Sequence, residues 1–266
     1  MTLPFTTQSF PELYEQALVE PLFRPWADPL LDDVRLAPGD RVLDVACGTG
    51  IVARRAKARL GAGGTVVGVD VNAGMLAVAR RVAPDIEWRE GDATALPLEE
   101  EERFDVVTCQ QGLQFVPDRP AAVRQLCRAL APTGRLALST WRPDDDFTVL
   151  RELRSVAERH VGPIDDRRHG CGDPGPLEAL LRDAGLGEVT SRTERRTIRF
   201  RDGVVFVRLN AMALVGMSRA AKELSATDRE GLIDGIVRDS ASVLARHTDA
   251  MGFAYDIGAN VITAQA

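Results

Sequence analysis

Apolar residues in this chain follow two periods. Between residues 38 and 141, short and nearly continuous apolar runs alternate with stretches whose apolar positions recur every three and four residues. The runs are 41–46 (RVLDVA), 65–69, 86–89, 104–109 (FDVVTC) and 135–140 (RLALST). Runs of this length, bounded by Gly, Pro and Asp, read as strands buried on both faces. Between them, residues 51–60 up to Gly61-Ala62-Gly63-Gly64, the stripe Met75, Val78, Ala79, Val82 and the stripe Val123, Leu126, Cys127, Leu130 have helical spacing. Asp118 is placed to cap the last of these helices, and Pro132-Thr133-Gly134 to end it. Such alternation predicts an α/β fold, a doubly wound and mostly parallel sheet with helices on both faces.

The flanks are different. Residues 9–36 are amphipathic and helical, with Tyr14, Leu18, Leu22, Phe23 and Trp26 as large side chains, and Pro21, Pro25 and Pro29 cut them into short pieces. Residues 1–36 are therefore expected to form an N-terminal helical lid, and 37–266 the core domain. After Trp141 the alternation fades. Helices are expected at 147–160, 177–184, 204–217 and 228–245, the last opened by Thr227 and Glu230 at capping-box spacing. Strands are expected at 188–200 and 253–263, with helical insertions at about 143–172 and 202–250. There is no internal repeat.

Charge narrows the function classes. The 266 residues carry a net charge of −6, and no run of Lys and Arg supplies the positive field that a nucleic-acid backbone requires. The richest basic stretch, Arg192, Arg195, Arg196, Arg199 and Arg201, alternates with Thr and Glu and reads as an exposed strand guarded by charge. Cys47, Cys109, Cys127 and Cys171 form no CxxC pair and no metal-ligand spacing with His, so they are expected to be reduced structural thiols, with no metal bound. No signal peptide opens the chain, and the longest apolar stretch, 204–217, is broken by Arg208 and Asn210. The expectation is a cytoplasmic protein without stable membrane insertion.

The chemistry concentrates at 44–50, Asp44-Val45-Ala46-Cys47-Gly48-Thr49-Gly50. A strand runs into a glycine turn and then a helix, whose first N–H groups and dipole suit an anion. Asp70, about 20 residues on at the tip of the second strand, can accept from the two hydroxyls of a ribose. These features fit any nucleoside cofactor, and Gly48-x-Gly50-x-x-Ala53 also satisfies a looser dinucleotide pattern. An NAD(P)-linked oxidoreductase is thus the alternative enzyme. Three features weigh against it: Asp44 just before the turn, Asp92 in Gly91-Asp92-Ala93 after the third strand, and the polar tip Cys109-Gln110-Gln111-Gly112-Leu113-Gln114-Phe115 after the fourth. Asp44 can bond the turn or the amino group of a methionine moiety, and Asp92 the exocyclic amine of adenine. Neither Tyr14 nor Tyr255 has a Lys a few residues on, as a hydride-transfer set would require.

The segments VLDVACGTG, VVGVD, GDATALPL, FDVVTCQQGLQFVPD and GRLALSTW, in this order, resemble the successive motifs of class I methyltransferases that use S-adenosyl-L-methionine (SAM). They are most similar to the quinone-biosynthesis-like group that acts on small molecules. The resemblance spans about residues 38–141, with an echo in YEQALVEPLFRPWA. It implies a seven-stranded Rossmann-like sheet with an antiparallel last strand, 188–200 and 253–263 serving as strands six and seven, and the helices between them inserted over the active site. It further implies that Ala46, Gly48 and Gly50 line the methionine portion of SAM with Asp44 beneath. Asp70 would hold the ribose, Val71 and Met75 would flank the adenine, and Asp92 with Ala93 would meet its edge. Gln110 would face the methionine or the reacting methyl, and Tyr14 would close over SAM.

A sulfonium methyl needs mainly alignment and exclusion of water, so no conspicuous catalytic motif is required. Many relatives carry His where this chain has Gln114-Phe115, and neither residue is a base at neutral pH. The candidate base is instead His160, ending the stripe Val149, Leu153, Val156, Ala157; His169 and His247 stand behind it. Helix 204–217 is apolar almost all round, and one face of it, through Phe206 and Met212, could wall an acceptor pocket. The expected partner is a small, hydrophobic or aromatic methyl acceptor. An oligomer stays open, since such a helix can equally cover a dimer contact. The non-enzyme alternative is a SAM-binding protein without catalysis.

Overall fold

The strand β1 (Arg41–Val45) lies inside the sheet, and its Val42, Leu43, Asp44 and Val45 are all buried. It pairs in parallel with β2 (Thr65–Asp70) and with β4 (Phe104–Gln110). Outward from these, β3 (Glu87–Glu90) joins β2, and β5 (Leu130–Trp141) joins β4, again in parallel. At the far side come β6 (Gly187–Phe200), β7 (Thr248–Asp249) and β8 (Gly252–Gln265). The order is β3-β2-β1-β4-β5-β8-β6, with β8 antiparallel to β5 and the two-residue β7 paired only to β8. This is the expected mostly parallel sheet with its antiparallel last strand. The computed structural model describes residues 9–266, apart from the side chain of Asp144, so residues 1–8 of the expected N-terminal lid lie outside the described residues.

The helices are α1 (Phe10–Tyr14), α2 (Arg24–Asp33), α3 (Ile51–Leu60), α4 (Ala73–Val82), α5 (Arg119–Ala129), α6 (Thr148–Val161), α7 (Gly175–Asp183), α8 (Gly203–Met217), α9 (Ala226–Asp239) and α10 (Ala241–Arg246). The chain divides into two compact units. One comprises Phe23–Arg142, Cys171–Glu194 and Gly258–Ala266 and contains the parallel strands. The other comprises, among the described residues, 9–22, Pro143–Gly170 and Arg195–Ile257. Both β6 and β8 contribute residues to each.

In the sheet unit, Leu43, Val107, Leu126, Leu136, Leu181 and Ile262 share one fully apolar core. Burying each such side chain contributes roughly 1.5–3 kcal/mol. On the opposite face α2 packs on α3 and β5. Trp26 meets Trp141 edge-on at 5.5 Å, and Asp28 and Asp32 bond Arg55 and Arg59 of α3 at 2.8 and 2.7 Å. The basic strand is at the sheet edge and largely exposed, with Arg192 paired to Asp33 and Glu194.

In the helical unit α8 packs against α1, α6 and α9. Phe206 stacks within a cluster of Phe200, Tyr255 and Phe253, at ring distances of 4.6, 4.8 and 5.5 Å. Its two charged or amide positions are engaged: Arg208 bonds Asp234 and Glu230, and the Asn210 oxygen accepts from Arg168 at 2.8 Å.

Three local expectations change. The helix expected at 228–245 is two, α9 and α10, separated at Ser240, whose hydroxyl bonds back to the Ile236 carbonyl at 2.8 Å. The cap is Ser225, whose oxygen accepts from Asp228 N at 3.1 Å, rather than Thr227 with Glu230; Ser is the better N-cap and sits where the chain turns. Helix α5 ends at Ala129, before Pro132-Thr133-Gly134, which falls where the β4–β5 register jumps from Phe104↔Leu130 to Val106↔Arg135. Among the described residues no His, Cys, Asp and Glu gather as a metal site, the four cysteines are free, and no helix is long and apolar enough to cross a membrane.

Candidate functional site

The turn after β1 is strained and tightly held. Ala46, Gly48 and Gly50 have φ of 55, 57 and 87°, the left-handed region that only Gly adopts freely. Cys47 N donates to the Val69 carbonyl at 3.0 Å and Gly48 N to Asp70 Oδ2 at 2.8 Å, so the turn is bonded to the end of β2. Gly50 is required for a second reason that the sequence did not reveal. A Cβ there would lie 2.2 Å from the indole of Trp88, and one on Gly68 would lie 2.3 Å from it. The β3 tryptophan therefore fills the space beneath the turn, with its Nε1 bonded to the Ala83 carbonyl at 2.9 Å.

Three carboxylates occupy the ends of the first three strands. Asp44 is 1 % exposed; its Oδ1 accepts from the Thr108 hydroxyl at 2.9 Å and its Oδ2 from Ala53 N at 3.1 Å. It thus clamps the first turn of α3 to β4, and burial pushes its pKa up to about 7. Asp70 accepts from Gly48 N through Oδ2 and from Asn72 N through Oδ1, both at 2.8 Å. The Val71 N–H also bonds this carboxylate, so three backbone donors converge on it. Its pKa is raised by burial and pulled back by those N–H bonds. Asp92 is exposed, and its Oδ1 accepts from both the Thr94 N and hydroxyl at 2.7 Å, which lowers its pKa. Between Asp70 and Asp92 stand Val71, 67 % exposed, and the half-buried Met75 in the first turn of α4. Ala93, partly buried, packs against the apolar core.

The tip of β4 completes the arrangement. Gln110 Nε2 donates to the Phe23 carbonyl at 3.1 Å, while its buried Oε1 has no partner among the described residues. Gln111 is left-handed at φ 55° and donates its N–H to the Ser139 carbonyl at 2.9 Å. A Cβ on Gly112 would lie 2.5 Å from Ala46 Cβ, so the β4 tip packs directly on the turn after β1. Gln111 and Gln114 are buried, and neither carboxamide has a partner among the described residues; the same holds for the Ser139 hydroxyl. The sequence marks Gln111 and Gln114 as part of a polar tip but assigns a role only to Gln110, and it gives no sign of Ser139.

The remaining candidates lie in the helical unit. Tyr14 of α1 packs on Phe10 at 6.1 Å, and His160 of α6 bonds Asp239 through Nε2 at 2.9 Å. Phe206 is 4 % exposed and belongs to the aromatic cluster, whereas Met212 is partly exposed.

Comparison with known proteins bears on this geometry. Residues 42–134, from β1 to the start of β5, match a family model described as a methyltransferase domain. The chain is 34 % identical over 252 residues to the nocamycin O-methyltransferase of Saccharothrix syringae, covering 85 % of this chain and 86 % of that one. It is 40 % identical over 116 residues to a 2-phytyl-1,4-naphtoquinone methyltransferase of Thermosynechococcus vestitus, a match over 42 % of this chain that spans only about half (51 %) of that protein. The fold is shared with a protein of Bacillus halodurans C-125 assigned as a methyltransferase, at a TM-score of 0.58 and 20 % identity, over 91 % of this chain and 98 % of that one. The near full-length relative and the strand order together establish that the chain belongs to the class I SAM-dependent methyltransferases.

Proposed function

We propose that the chain transfers a methyl group from SAM to a small apolar or aromatic metabolite. The observation that carries this reading is the set of carboxylates at the ends of β1, β2 and β3 around a left-handed turn. Asp70, fixed by backbone N–H groups at the end of β2, would accept from the ribose hydroxyls, and Val71 and Met75 offer an apolar flank for adenine. Asp92 retains Oδ2, and with Ala93 would meet the adenine edge. Ala46, Gly48 and Gly50 would line the methionine portion, next to the start of α3, where Gly50 offers no capping side chain. Gln110, with its buried Oε1 unpartnered, would face the methionine ammonium or the reacting methyl.

The cofactor supplies a methyl already activated by sulfonium charge. What remains for the protein is to orient the acceptor, keep water away and hold the turn in place. Asp44 serves the last role by fixing α3 and β4 to each other. His160 is held by Asp239 and is the candidate base only for an acceptor that must lose a proton on the enzyme.

Calorimetric titration with SAM, S-adenosylhomocysteine and NAD⁺ in parallel, repeated on Asp70→Asn, tests the reading. The expected result is binding of both adenosyl sulfur compounds, none of NAD⁺, and at least tenfold weaker binding in the variant. Binding of NAD⁺ alone would overturn it in favour of an oxidoreductase.

A further inference from the structure

Gln111 and Gln114 are 6 % and 2 % exposed, and all four polar atoms of their carboxamides are buried without a partner among the described residues. Proteins rarely leave buried amides unbonded, since each has given up its hydrogen bonds to water. The β4 tip collects several such groups: Ser139, whose hydroxyl is also unpartnered, is the register neighbour of Gln110. The backbone that presents them is firmly held. Phe115 N donates to the Gly112 carbonyl at 3.0 Å, Val116 N to Leu113 at 3.1 Å, and the Arg119 guanidinium to the carbonyls of Leu113 and Gln114 at 3.3 and 3.4 Å. Gly112, between the two glutamines, packs on Ala46 of the turn proposed to hold SAM.

A carboxamide carries two N–H donors and one carbonyl acceptor, and it neither ionises nor takes a proton. Two of them buried at one strand end suit a ligand with a carbonyl next to a hydroxyl. The β4 tip has no base, so a hydroxyl methylated there must be acidic enough to ionise by itself. Conjugated hydroxy-carbonyl compounds, such as enolised 1,3-dicarbonyls and hydroxyquinones, have that property. Simple phenols and alcohols do not.

We propose that Gln111 and Gln114 determine specificity for a methyl acceptor that is a vinylogous acid, an anionic enolate oxygen conjugated with a carbonyl. This rests on the proposed SAM-dependent transfer. The acceptor gives its proton to solvent before reaction, and the glutamine N–H groups share the oxyanion charge. The oxygen lone pair forms the new O–C bond while the S–C bond breaks, its electron pair returns to sulfur, and the products are a neutral methyl enol ether and a thioether.

The test uses the full chain, with 2-hydroxy-1,4-naphthoquinone and 1,3-cyclohexanedione as enolic probes and 1-naphthol and catechol as phenolic ones. Methyl transfer and binding in the presence of S-adenosylhomocysteine are measured for the wild type, Gln111→Leu, Gln114→Leu and Gln114→Glu. The wild type is expected to prefer an enolic probe by tenfold or more. Each Leu variant should lose tenfold or more of enolate affinity with unchanged S-adenosylhomocysteine affinity, and Gln114→Glu should lose more, because it sets a carboxylate against the anion. Without ligand, the Leu variants should melt at a higher temperature, since they remove unsatisfied amides; a purely structural role for the amides demands a lower one. Equal use of phenols, no binding of either enolic probe, or Leu variants that bind enolates normally or melt lower would overturn the proposal. Failure of the wild type to bind S-adenosylhomocysteine would instead remove the SAM reading beneath it.

Discussion

Replacing Asp44 by Asn isolates the cost of the carboxylate buried beneath the glycine turn after β1. Asp44 is 1 % exposed and receives only the Thr108 hydroxyl and Ala53 N–H, so burial dominates and pushes its pKa from 3.8 up to about 7. Asn preserves the geometry: its oxygen can accept from Ala53 N and its NH₂ can donate to Thr108 Oγ1. It does not titrate. In wild type the unfolded carboxyl ionises near 3.8 and the folded one near 7, so the unfolded state loses its proton first. Wild-type stability therefore falls relative to Asp44→Asn as pH rises between these values, and the difference is constant above them. The full span corresponds to about 4 kcal/mol. Asp28, Glu102 and Asp166, whose pKa values are lowered, contribute slopes of the opposite sign, but they are common to both proteins and cancel in the comparison. Urea denaturation from pH 4.5 to 8.5 measures it. Tryptophan fluorescence is a suitable probe because Trp26, Trp88 and Trp141 all lie in the sheet unit that contains Asp44. The variant should be the more stable protein at pH 8 and gain little at pH 4.5. Parallel profiles for the two proteins would refute the argument that Asp44 is held at a desolvation cost.

Two further outcomes follow from the same region. Gly50→Ala should destabilise the protein by about 1–3 kcal/mol, because the new methyl enters the Trp88 ring at 2.2 Å and the residue keeps a φ of 87°. In the same urea assay Trp88→Val should recover part of that loss in the double variant, and an additive pair would refute the steric cause. Thiol reactivity under native conditions should be confined largely to Cys127, since Cys47, Cys109 and Cys171 are buried and burial pushes the Cys109 pKa up to about 12. Titration with a chromogenic disulfide before and after denaturation checks this, and rapid native reaction of all four thiols would contradict it.

What could be read from the residues depended on the range of the interaction. Asp44, Asp70 and Asp92 were legible because each lies at the end of an apolar run, where a strand gives way to a loop. The charged edge strand was equally legible, from Arg alternating with Thr and Glu. The cap of α9 was misplaced by two residues, since Ser225 and Thr227 offer similar local chemistry and only the path of the chain selects between them. The apolar surround of helix 204–217 was visible, but its main aromatic partners were not. Phe200 lies shortly before it in sequence, while Phe253 and Tyr255 lie some forty residues beyond.

The sequence by itself determined the strand and helix succession, the parallel sheet and the glycine turn flanked by carboxylates, because periodicity, glycine freedom and carboxylates at strand ends act over a few residues. Only the tertiary structure decided that Trp88 fills the space left by Gly50 and Gly68, and that Asp44 links α3 to β4. It likewise decided that Gln111 and Gln114 are buried without partners, and that residues 10–22, 143–170 and 195–257 group into one unit. Each of these depends on which distant segments share a volume and on what water is thereby excluded from, and no local pattern records that.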